Sequence, residues 1–229
     1  MLRCPNMPSA RKEAMRFLVP LGIIFFALPV LAELPLPLWM KAMMGIITLL
    51  AGFLFLFVCY FFRDPERVVP ADPNLIVSAA DGLVVSVEEY EEPDFHLGPM
   101  IRIAVFLSVF DVHVNRSPVA GVVNSTVYKA GEFLDVRHKE SSTRNECRSW
   151  WLDTPHGPVA VRQIAGLIAR RIVAWSREGD ALERGHRFGM IRFGSRTEVF
   201  LPLACTVLVK PGDRVAGAST PIARWQENT

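Results

Sequence analysis

The sequence predicts a mainly β protein of the α+β class, in which an N-terminal transmembrane helical hairpin precedes a β-rich domain. The chain has 229 residues and is 51% hydrophobic, and its longest apolar runs lie within residues 1–62. Beyond this region, short alternating runs rich in Val, Ile and Thr are separated by Gly, Pro, Asn and Asp, which is typical of strands. One segment, 164–175, has helical spacing instead, so we expect one short helix there.

The predicted hairpin consists of two apolar segments, about 17–38 and 40–62. The second contains one charged residue, Lys41, near its start, and it is long enough to span a bilayer. The first begins with a 15-residue run, Phe17 to Leu31, that contains Pro20 and Pro29 and is too short to span alone, and when it is extended through Leu38 it spans only if Glu33 lies at the interface. We therefore assign residues 1–62 to a membrane anchor in which one or both segments cross.

The distribution of basic residues predicts the topology of this anchor. Arg and Lys residues precede the first segment and follow the second, whereas the connecting "AELPLPLW" contains none. By the positive-inside rule both ends are cytoplasmic, which places the chain at the cell membrane with its domain in the cytoplasm. A cleaved secretory signal is the alternative, because "VLA" precedes Glu33 as a small-residue cleavage site. The second apolar run, which follows closely, favours the hairpin.

Charge and cysteine usage exclude several classes of function. The chain has 25 Lys and Arg against 23 Asp and Glu, and no long basic tract, so no nucleic-acid partner is expected. The four cysteines are scattered without a C-x-x-C pair and predict free thiols. The five histidines show no metal-ligand spacing, so we expect no metal.

The domain at 63–229 follows a Pro-rich link, "RDPERVVPADPN". Its predicted strands are "GLVVSV", "MIRIAVFLSV", "VAGVVNSTVY", "CRSWWL", "GPVAVRQI", "MIRF", "TEVFLP" and "CTVLV". The predicted helix is "IAGLIARRIVAW", Ile164 to Trp175. Two phrases, "AADGLVVSV" and "VLVKPGDRVAGASTPIA", resemble the halves of a barrel-sandwich fold, although the lysine that would carry a lipoyl or biotinyl group is absent. The expected domain is therefore barrel-sandwich-like and β-rich.

The dipeptide Gly194-Ser195 interrupts the alternation of "MIRFGSRTEVFLP". A surface serine at a β-bulge is one interpretation. A hydrolase nucleophile is disfavoured, because Phe193 and Thr197 stand where G-x-S-x-G requires glycine. In a third interpretation the Ser hydroxyl attacks the preceding carbonyl carbon, and elimination and hydrolysis of the resulting ester leave an N-terminal pyruvoyl group. Glycine before serine permits the strained backbone that this attack needs.

Several motifs accompany this dipeptide in a fixed order: "FFRDPERVVP", "AADGLV", "FLSVFDVHVNRSPVAG", "VRQIAGLIARRIV" and "RFGMIRFGSRTEVFLP". Together they resemble the short form of the phosphatidylserine decarboxylase proenzymes, from the hairpin to Ala223. The resemblance implies autocatalytic cleavage at Gly194-Ser195 into a long chain, 1–194, and a short chain, 195–229, that remain associated. It also implies a covalent pyruvoyl cofactor derived from Ser195, with neither a metal nor pyridoxal phosphate.

The resemblance further implies the substrate and the catalytic residues. Phosphatidylserine in the bilayer would condense through its amine with the pyruvoyl ketone, lose CO2 and give phosphatidylethanolamine. Ser195, His113 and Asp81 would form the self-cleavage arrangement, with His113 as general base and Asp81 fixing its tautomer. Longer bacterial members carry a second histidine where this chain has Arg116. Arg116 is therefore a candidate for binding the lipid phosphate, unless His113 serves both reactions.

Structural alternatives accompany each of these residues. A histidine between valines is often a hydrogen-bonded core residue, and Asp-Gly is often a turn. Arg162, Arg170 and Arg171 form either a phosphate site or the solvated face of the predicted helix. A membrane-anchored barrel-sandwich adaptor without catalytic activity would explain the hairpin and the strands, but it would not explain Gly194-Ser195. Association into a homo-oligomer is left open by the sequence.

Overall fold

A computed structural model of the chain describes residues 10–136, 140–167, 171–192 and 195–226. The helices are α1 (Ala10–Leu31), α2 (Leu38–Phe61) and α3 (Ser141–Arg144). The strands are β1 (Leu75–Val77), β2 (Gly82–Glu91), β3 (Pro99–Leu107), β4 (Val114–Arg116), β5 (Gly121–Lys129), β6 (Cys147–Thr154), β7 (Gly157–Ala165), β8 (Ile172–Ala174), β9 (Ala181–Leu182), β10 (Arg187–Ile191), β11 (Ser195–Leu201), β12 (Thr206–Val207), β13 (Arg214–Val215) and β14 (Pro221–Arg224). The mainly β class with an N-terminal pair of apolar helices is confirmed.

The two long helices belong to a separate compact unit, which ends at Asp64, and the β-rich unit begins at Pro65. By length and composition, α1 and α2 are both able to cross a membrane. α1 contains Pro20 and Pro29, which a membrane helix tolerates better than a soluble one. It ends at Leu31, so it begins and ends earlier than the apolar segment predicted at about 17–38.

The β-rich unit contains three antiparallel sheets. The large sheet has eight strands in the order β13-β2-β3-β11-β7-β6-β5-β9, and the two small sheets have the orders β1-β14-β12 and β4-β10-β8. Side chains from all three sheets meet in one hydrophobic core, for example Ile76 from β1, Val199 from β11 and Ile191 from β10. The small sheets therefore share an apolar interior with the large one.

The two phrases that resemble halves of a barrel-sandwich fold lie together. β13 pairs with β2, with Val215 opposite Gly82. Next to this pair, the backbone N–H of Ala218 donates to the carbonyl of Ser78 at 2.8 Å. The cysteines in the described part of the chain, Cys59, Cys147 and Cys205, are free thiols, as the sequence predicts.

Strand β11 occupies a central place in the large sheet, between β3 and β7. All of its residues are buried. Because side chains alternate along a strand, Ser195, Thr197, Val199 and Leu201 share the face that carries the main core. Arg196, Glu198 and Phe200 lie on the other face, so the first residue of β11 points to the interior between the sheets.

One local prediction is wrong. The segment predicted as a helix, Ile164 to Trp175, contains the end of β7 and all of β8, with residues 168–170 outside the described part. Ile164 and Ile172 are buried as β residues: Ile164 lies opposite Cys147 of β6, and Ile172 lies opposite Ile191 of β10. On either side of the predicted cleavage site, β10 ends in a small sheet at Ile191 and β11 begins in the large sheet at Ser195.

Candidate active site

Ser195 lies where β11 begins. It pairs with Leu107 of β3 on one side and Ala165 of β7 on the other, and its exposed fraction is 0%. Its Oγ has no hydrogen-bond partner among the described residues. A buried hydroxyl without a partner costs free energy, so its retention calls for a functional reason. Gly194, the other half of the predicted cleavage site, lies outside the described residues.

His113 lies immediately before β4 and is completely buried. Its backbone carbonyl accepts a hydrogen bond from the N–H of Ile191 at 3.3 Å, so it lies beside the segment that leads to Ser195. Its Nδ1 is 2.9 Å from the carbonyl oxygen of Asp111. Because a carbonyl only accepts, Nδ1 carries the proton, and the lone pair of a neutral ring is on Nε2. This tautomer presents Nε2 as a base.

The loop from β3 to β4 is fixed by a residue that the sequence analysis did not single out, Asp111. Its Oδ2 accepts from the backbone N–H of Ser108 at 2.8 Å and from the Ser108 hydroxyl at 2.6 Å. Its Oδ1 is 3.3 Å from a guanidinium nitrogen of Arg214. These bonds hold the loop that presents the Asp111 carbonyl to Nδ1 of His113. The only signal in the sequence is a serine three residues before an aspartate, which is common in turns.

Asp81 binds elsewhere than expected. Its Oδ2 accepts from Arg67 at 2.5 Å, and its Oδ1 accepts from the backbone N–H of Gly217 at 2.8 Å. The bond that orients His113 thus comes from the carbonyl of Asp111 and not from Asp81. The segment that carries Asp81 is bonded to β4: two residues earlier, the carbonyl of Ala79 accepts from the backbone N–H of Arg116 at 2.9 Å.

The Arg116 side chain is almost completely buried. Its Nη1 donates to the carbonyl of Gly185 at 3.2 Å, and its Nη2 donates to the carbonyl of Pro65 at 3.0 Å. These bonds fasten the start of the β-rich unit to β4. Two of its nitrogens therefore serve the fold.

Of the three arginines 162, 170 and 171, the structure describes Arg162 and Arg171. Arg162 is buried on the face of β7 opposite to Ser195, where its Nε lies 3.3 Å from Asp94. Burial raises the pKa of Asp94, but Arg162, Lys129 and Ser149 outweigh burial and leave that pKa below its ordinary value. Arg171 is exposed, and Arg170 lies outside the described residues.

A polar cluster that the sequence analysis missed lies beside Ser195. Thr197 shares the face of Ser195 on β11 and lies opposite Gln163 of β7. The amide of Gln163 donates to Asn115 of β4, whose own amide donates to the carbonyl of Ala79 at 3.4 Å. Thr197, Gln163 and Asn115 each have an exposed fraction of 0%. Thr197 Oγ1 and Gln163 Oε1 lack partners in the described part of the chain.

The polar cluster connects the large sheet to the small sheet β4-β10-β8. Gly189 of β10 pairs with Asn115, and a Cβ on Gly189 would lie 2.7 Å from the carbonyl oxygen of Val173 and 3.4 Å from Gln163 Oε1. Glycine is therefore needed for this close packing. His113 immediately precedes β4 of the same small sheet. Within the described ranges, no three His, Cys, Asp or Glu side chains form a group that could hold a metal.

Comparison of the sequence with known proteins identifies a family and a relative that this chain is similar to. The sequence model of the phosphatidylserine decarboxylase family matches residues 54–223. The chain is 53% identical over 176 residues to the phosphatidylserine decarboxylase proenzyme of Symbiobacterium thermophilum, and the alignment covers 76% of this chain and 81% of that protein. The range matched by the family extends from within α2 to β14, so it includes Asp81, His113 and Ser195.

Proposed function

The chain belongs to the phosphatidylserine decarboxylase family, and we propose that it matures by cutting itself between Gly194 and Ser195. Its activity is the decarboxylation of phosphatidylserine, which makes it a carboxy-lyase that is synthesised as a proenzyme. The observation that carries the maturation proposal is the buried Oγ of Ser195, which lacks a partner among the described residues and follows a glycine in sequence.

The proposed cleavage uses only atoms of the chain and one water molecule. The Oγ of Ser195 attacks the carbonyl carbon of Gly194, the peptide C–N bond breaks, and its nitrogen takes up a proton, which leaves an ester. Removal of the Cα proton of Ser195 expels the Gly194 carboxylate and leaves dehydroalanine. Water then adds to this residue and ammonia leaves, so the short chain, 195–229, begins with a pyruvoyl group.

His113 is the proposed base for the first step. Its Nε2 takes the proton of the Ser195 hydroxyl, and the carbonyl of Asp111 accepts from Nδ1 in both protonation states of the ring. The Asp111 carbonyl therefore keeps the ring oriented during proton transfer. Asp81 contributes by holding the segment that supports β4, through its bonds with Arg67 and Gly217.

The residues around Ser195 fit a pyruvoyl group. The ketone, once formed, supplies an electron sink for the electron pair that CO2 leaves behind. Apolar Leu107 and Ala165 flank this position, and an apolar environment disfavours a charged carboxylate relative to neutral CO2. Thr197 and Gln163 supply polar atoms on the same face, where they can orient a bound headgroup.

The proposal also includes the membrane topology of the chain and its partners. We propose that α1 and α2 cross the cell membrane with both ends in the cytoplasm, so that the active site meets phosphatidylserine in the cytoplasmic leaflet. The long and short chains would remain associated, because β11 is bonded on both sides by strands of the long chain. Binding of the lipid phosphate by Arg116 and assembly into a homo-oligomer stay predictions.

Replacing Ser195 tests the maturation proposal. We expect purified protein to contain a fragment comprising residues 195–229 with a blocked, pyruvoyl N-terminus, and we expect Ser195→Ala to stay uncut because the nucleophile is gone. Intact-mass and N-terminal analysis of the fragment measure both outcomes. Ser176→Ala is the matched control, since it removes another buried hydroxyl, one that donates to the carbonyl of Phe188. If Ser195→Ala were processed like the wild type, the cleavage site would have to lie elsewhere.

The adaptor hypothesis makes the opposite prediction for the same measurement. A barrel-sandwich adaptor without chemistry would remain one chain of full length. The comparisons give it no support, since the family and the relative are both phosphatidylserine decarboxylases. A single chain in the wild type would nevertheless overturn the proposed maturation.

A further inference from the structure

Two exposed apolar side chains lie in loops at the end of the large sheet where β11 begins with Ser195. Phe110, in the loop after β3, has an exposed fraction of 64%, and Leu167, after β7, has an exposed fraction of 65%. We call these two residues the apolar rim. Contiguous exposed apolar patches commonly mark interaction surfaces, and these two side chains lie in the loops after the two strands that pair with Ser195.

The register of the sheet places the apolar rim near Ser195. Ser195 is paired with Leu107, the last residue of β3, and with Ala165, the last residue of β7. Phe110 follows Leu107 by three residues and Leu167 follows Ala165 by two, so each is at most about 11 Å along the chain from a partner of Ser195. The two loops thus flank the same strand end.

Basic residues accompany the apolar rim. Arg171 is exposed, and its carbonyl accepts from the backbone N–H of Arg192, which precedes Ser195 by three residues. Arg214 is also exposed, and it lies against Asp111 in the same loop as Phe110. Apolar side chains surrounded by arginine are typical of segments that enter the interface of an anionic membrane.

The chain enters the β-rich unit next to residues that the sequence analysis assigned to the site. Pro65 and Arg67, which follow α2 by only a few residues, bind Arg116 and Asp81 respectively. The covalent tether to the apolar helices is therefore attached beside the site. This continuity favours the membrane over a protein as the occupant of the apolar rim.

We propose that Phe110 and Leu167 insert into the lipid interface and that Arg171 meets anionic headgroups, so that the Ser195 edge of the sheet rests on the membrane surface. This inference rests on the proposed function, because a diacyl substrate keeps its tails in the bilayer while its headgroup reaches a buried residue. Insertion removes the two apolar side chains from water and fixes the orientation of the domain.

Lipid quenching tests the proposal directly. Single cysteines at Phe110→Cys, Leu167→Cys and Leu203→Cys carry a bimane probe in the full chain, with Cys4→Ser and Cys59→Ser as background and the buried Cys147 and Cys205 retained. Leu203 is the matched control, since it is 47% exposed and follows the opposite end of β11. The protein is reconstituted in vesicles of phosphatidylcholine and phosphatidylserine that contain doxyl-labelled lipid.

We expect doxyl lipid to quench the probe at positions 110 and 167 at least several-fold more than at 203. Quenching at 110 and 167 that is no stronger than at 203 would overturn the proposal. The result does not depend on catalysis: a wild type that neither cuts itself nor decarboxylates would refute the proposed function and leave the quenching pattern unaffected.

A second measurement uses turnover. In vesicles with limiting phosphatidylserine, the double variant Phe110→Ser and Leu167→Ser should lose activity by roughly tenfold, because two membrane contacts are removed. Leu203→Ser should match the wild type. Equal rates for the double variant and Leu203→Ser, at equal extents of self-cleavage, would also overturn the proposal.

Discussion

Hydroxyl groups in the core next to Ser195 show how this site departs from an ordinary protein interior. Ser195 Oγ and Thr197 Oγ1 share one face of β11, both are fully buried, and neither has a partner in the described part of the chain. Leaving such a group unsatisfied costs about 1–3 kcal/mol. A fold selected only for stability would place valine or alanine there, so the hydroxyls indicate a site that trades stability for chemistry.

Thr197→Val tests this trade. The substitution keeps the shape of the side chain and removes the unpartnered hydroxyl, so we expect the free energy of unfolding of the uncut Ser195→Ala background to stay equal or rise by about 1 kcal/mol. In the wild-type background we expect self-cleavage to slow by roughly tenfold, because the polar surroundings of Ser195 are reduced. Denaturant unfolding and a time course on denaturing gels measure the two effects. A stability loss with normal cleavage would show that Thr197 serves the fold.

Substitutions at His113 and Asp81 separate a base from a supporting residue. His113→Ala should slow self-cleavage by on the order of a hundredfold or more, because the proposed base is lost. Asp81→Asn should also slow it, by weakening the bond with Arg67 that supports β4.

A double-mutant cycle distinguishes these two causes. If Asp81 acts through Arg67, then Arg67→Ala should reproduce the effect of Asp81→Asn, and the double variant should be no slower than either single variant. Additive effects would point to a separate role for Asp81. Unimpaired cleavage in His113→Ala would leave His113 as a core residue.

The sequence predicted some parts of this site and missed others for a physical reason. Ser195 and His113 were singled out because they lie in motifs whose residue types carry the chemistry, and their catalytic roles stay predictions. The carbonyl of Asp111 was missed, because a backbone acceptor leaves no trace in residue identity. Thr197 and Gln163 were missed because their proximity depends on the register of β7 and β11. Asp81, the partner expected for His113, instead accepts a hydrogen bond from Arg67. This pairing depends on the tertiary fold, so the sequence does not reveal it.

At the scale of elements, the strands were predictable and the irregular connections were not. Every run predicted as a strand contains one, because period-two alternation with β-branched residues is a local property. The helix predicted at 164–175 is wrong because Ile164 and Ile172 belong to different strands, which pair with β6 and β10 respectively. Apolar residues buried on two successive short strands can reproduce the spacing of a helix by chance, and β-branched isoleucine favours the strand.

Gly82, at the start of β2, gives a test of element packing. A Cβ at this position would lie 2.1 Å from the carbonyl oxygen of Phe106, and the backbone φ is +150°. We expect Gly82→Ala to lower the free energy of unfolding by more than about 3 kcal/mol, because β2 cannot stay against β3 without a backbone shift. Chemical denaturation of the uncut Ser195→Ala background measures the loss.

Gly98→Ala is the matched control for this substitution. Gly98 also has a positive φ, +78°, but a Cβ there would meet nothing within 4 Å. We therefore expect a loss of only about 1 kcal/mol, from backbone strain alone. Similar losses in both variants would show that the backbone at Gly82 and Phe106 shifts at little cost in free energy to accommodate a Cβ.

At the scale of the whole molecule, the apolar hairpin should matter more for turnover than for maturation. Ser195 attacks its own chain wherever the domain is located, whereas a diacyl substrate must be reached in the bilayer. We expect a shortened chain that begins near Arg63 to cut itself normally but to decarboxylate phosphatidylserine in vesicles at least tenfold more slowly than the full chain. Radiometric or mass-spectrometric assay of the product measures this difference.

A soluble short-chain substrate provides the control for the hairpin. The difference between the two chains should narrow in its presence, because access no longer depends on the membrane. Self-cleavage reports that the shortened chain has folded. Equal rates on vesicles for the two cleaved forms would mean that the hairpin does not present the substrate.

The central position of β11 has a consequence for the lifetime of the enzyme. After the proposed cut, the middle strand of the large sheet and the strands from β12 to β14 belong to a second polypeptide, held to β1, β2, β3 and β7 without a covalent link. Refolding would then require two chains to meet, and no reaction restores the severed bond. Maturation thus makes unfolding a one-way loss, so the working life of the mature enzyme is governed by how fast it unfolds and not by its equilibrium stability.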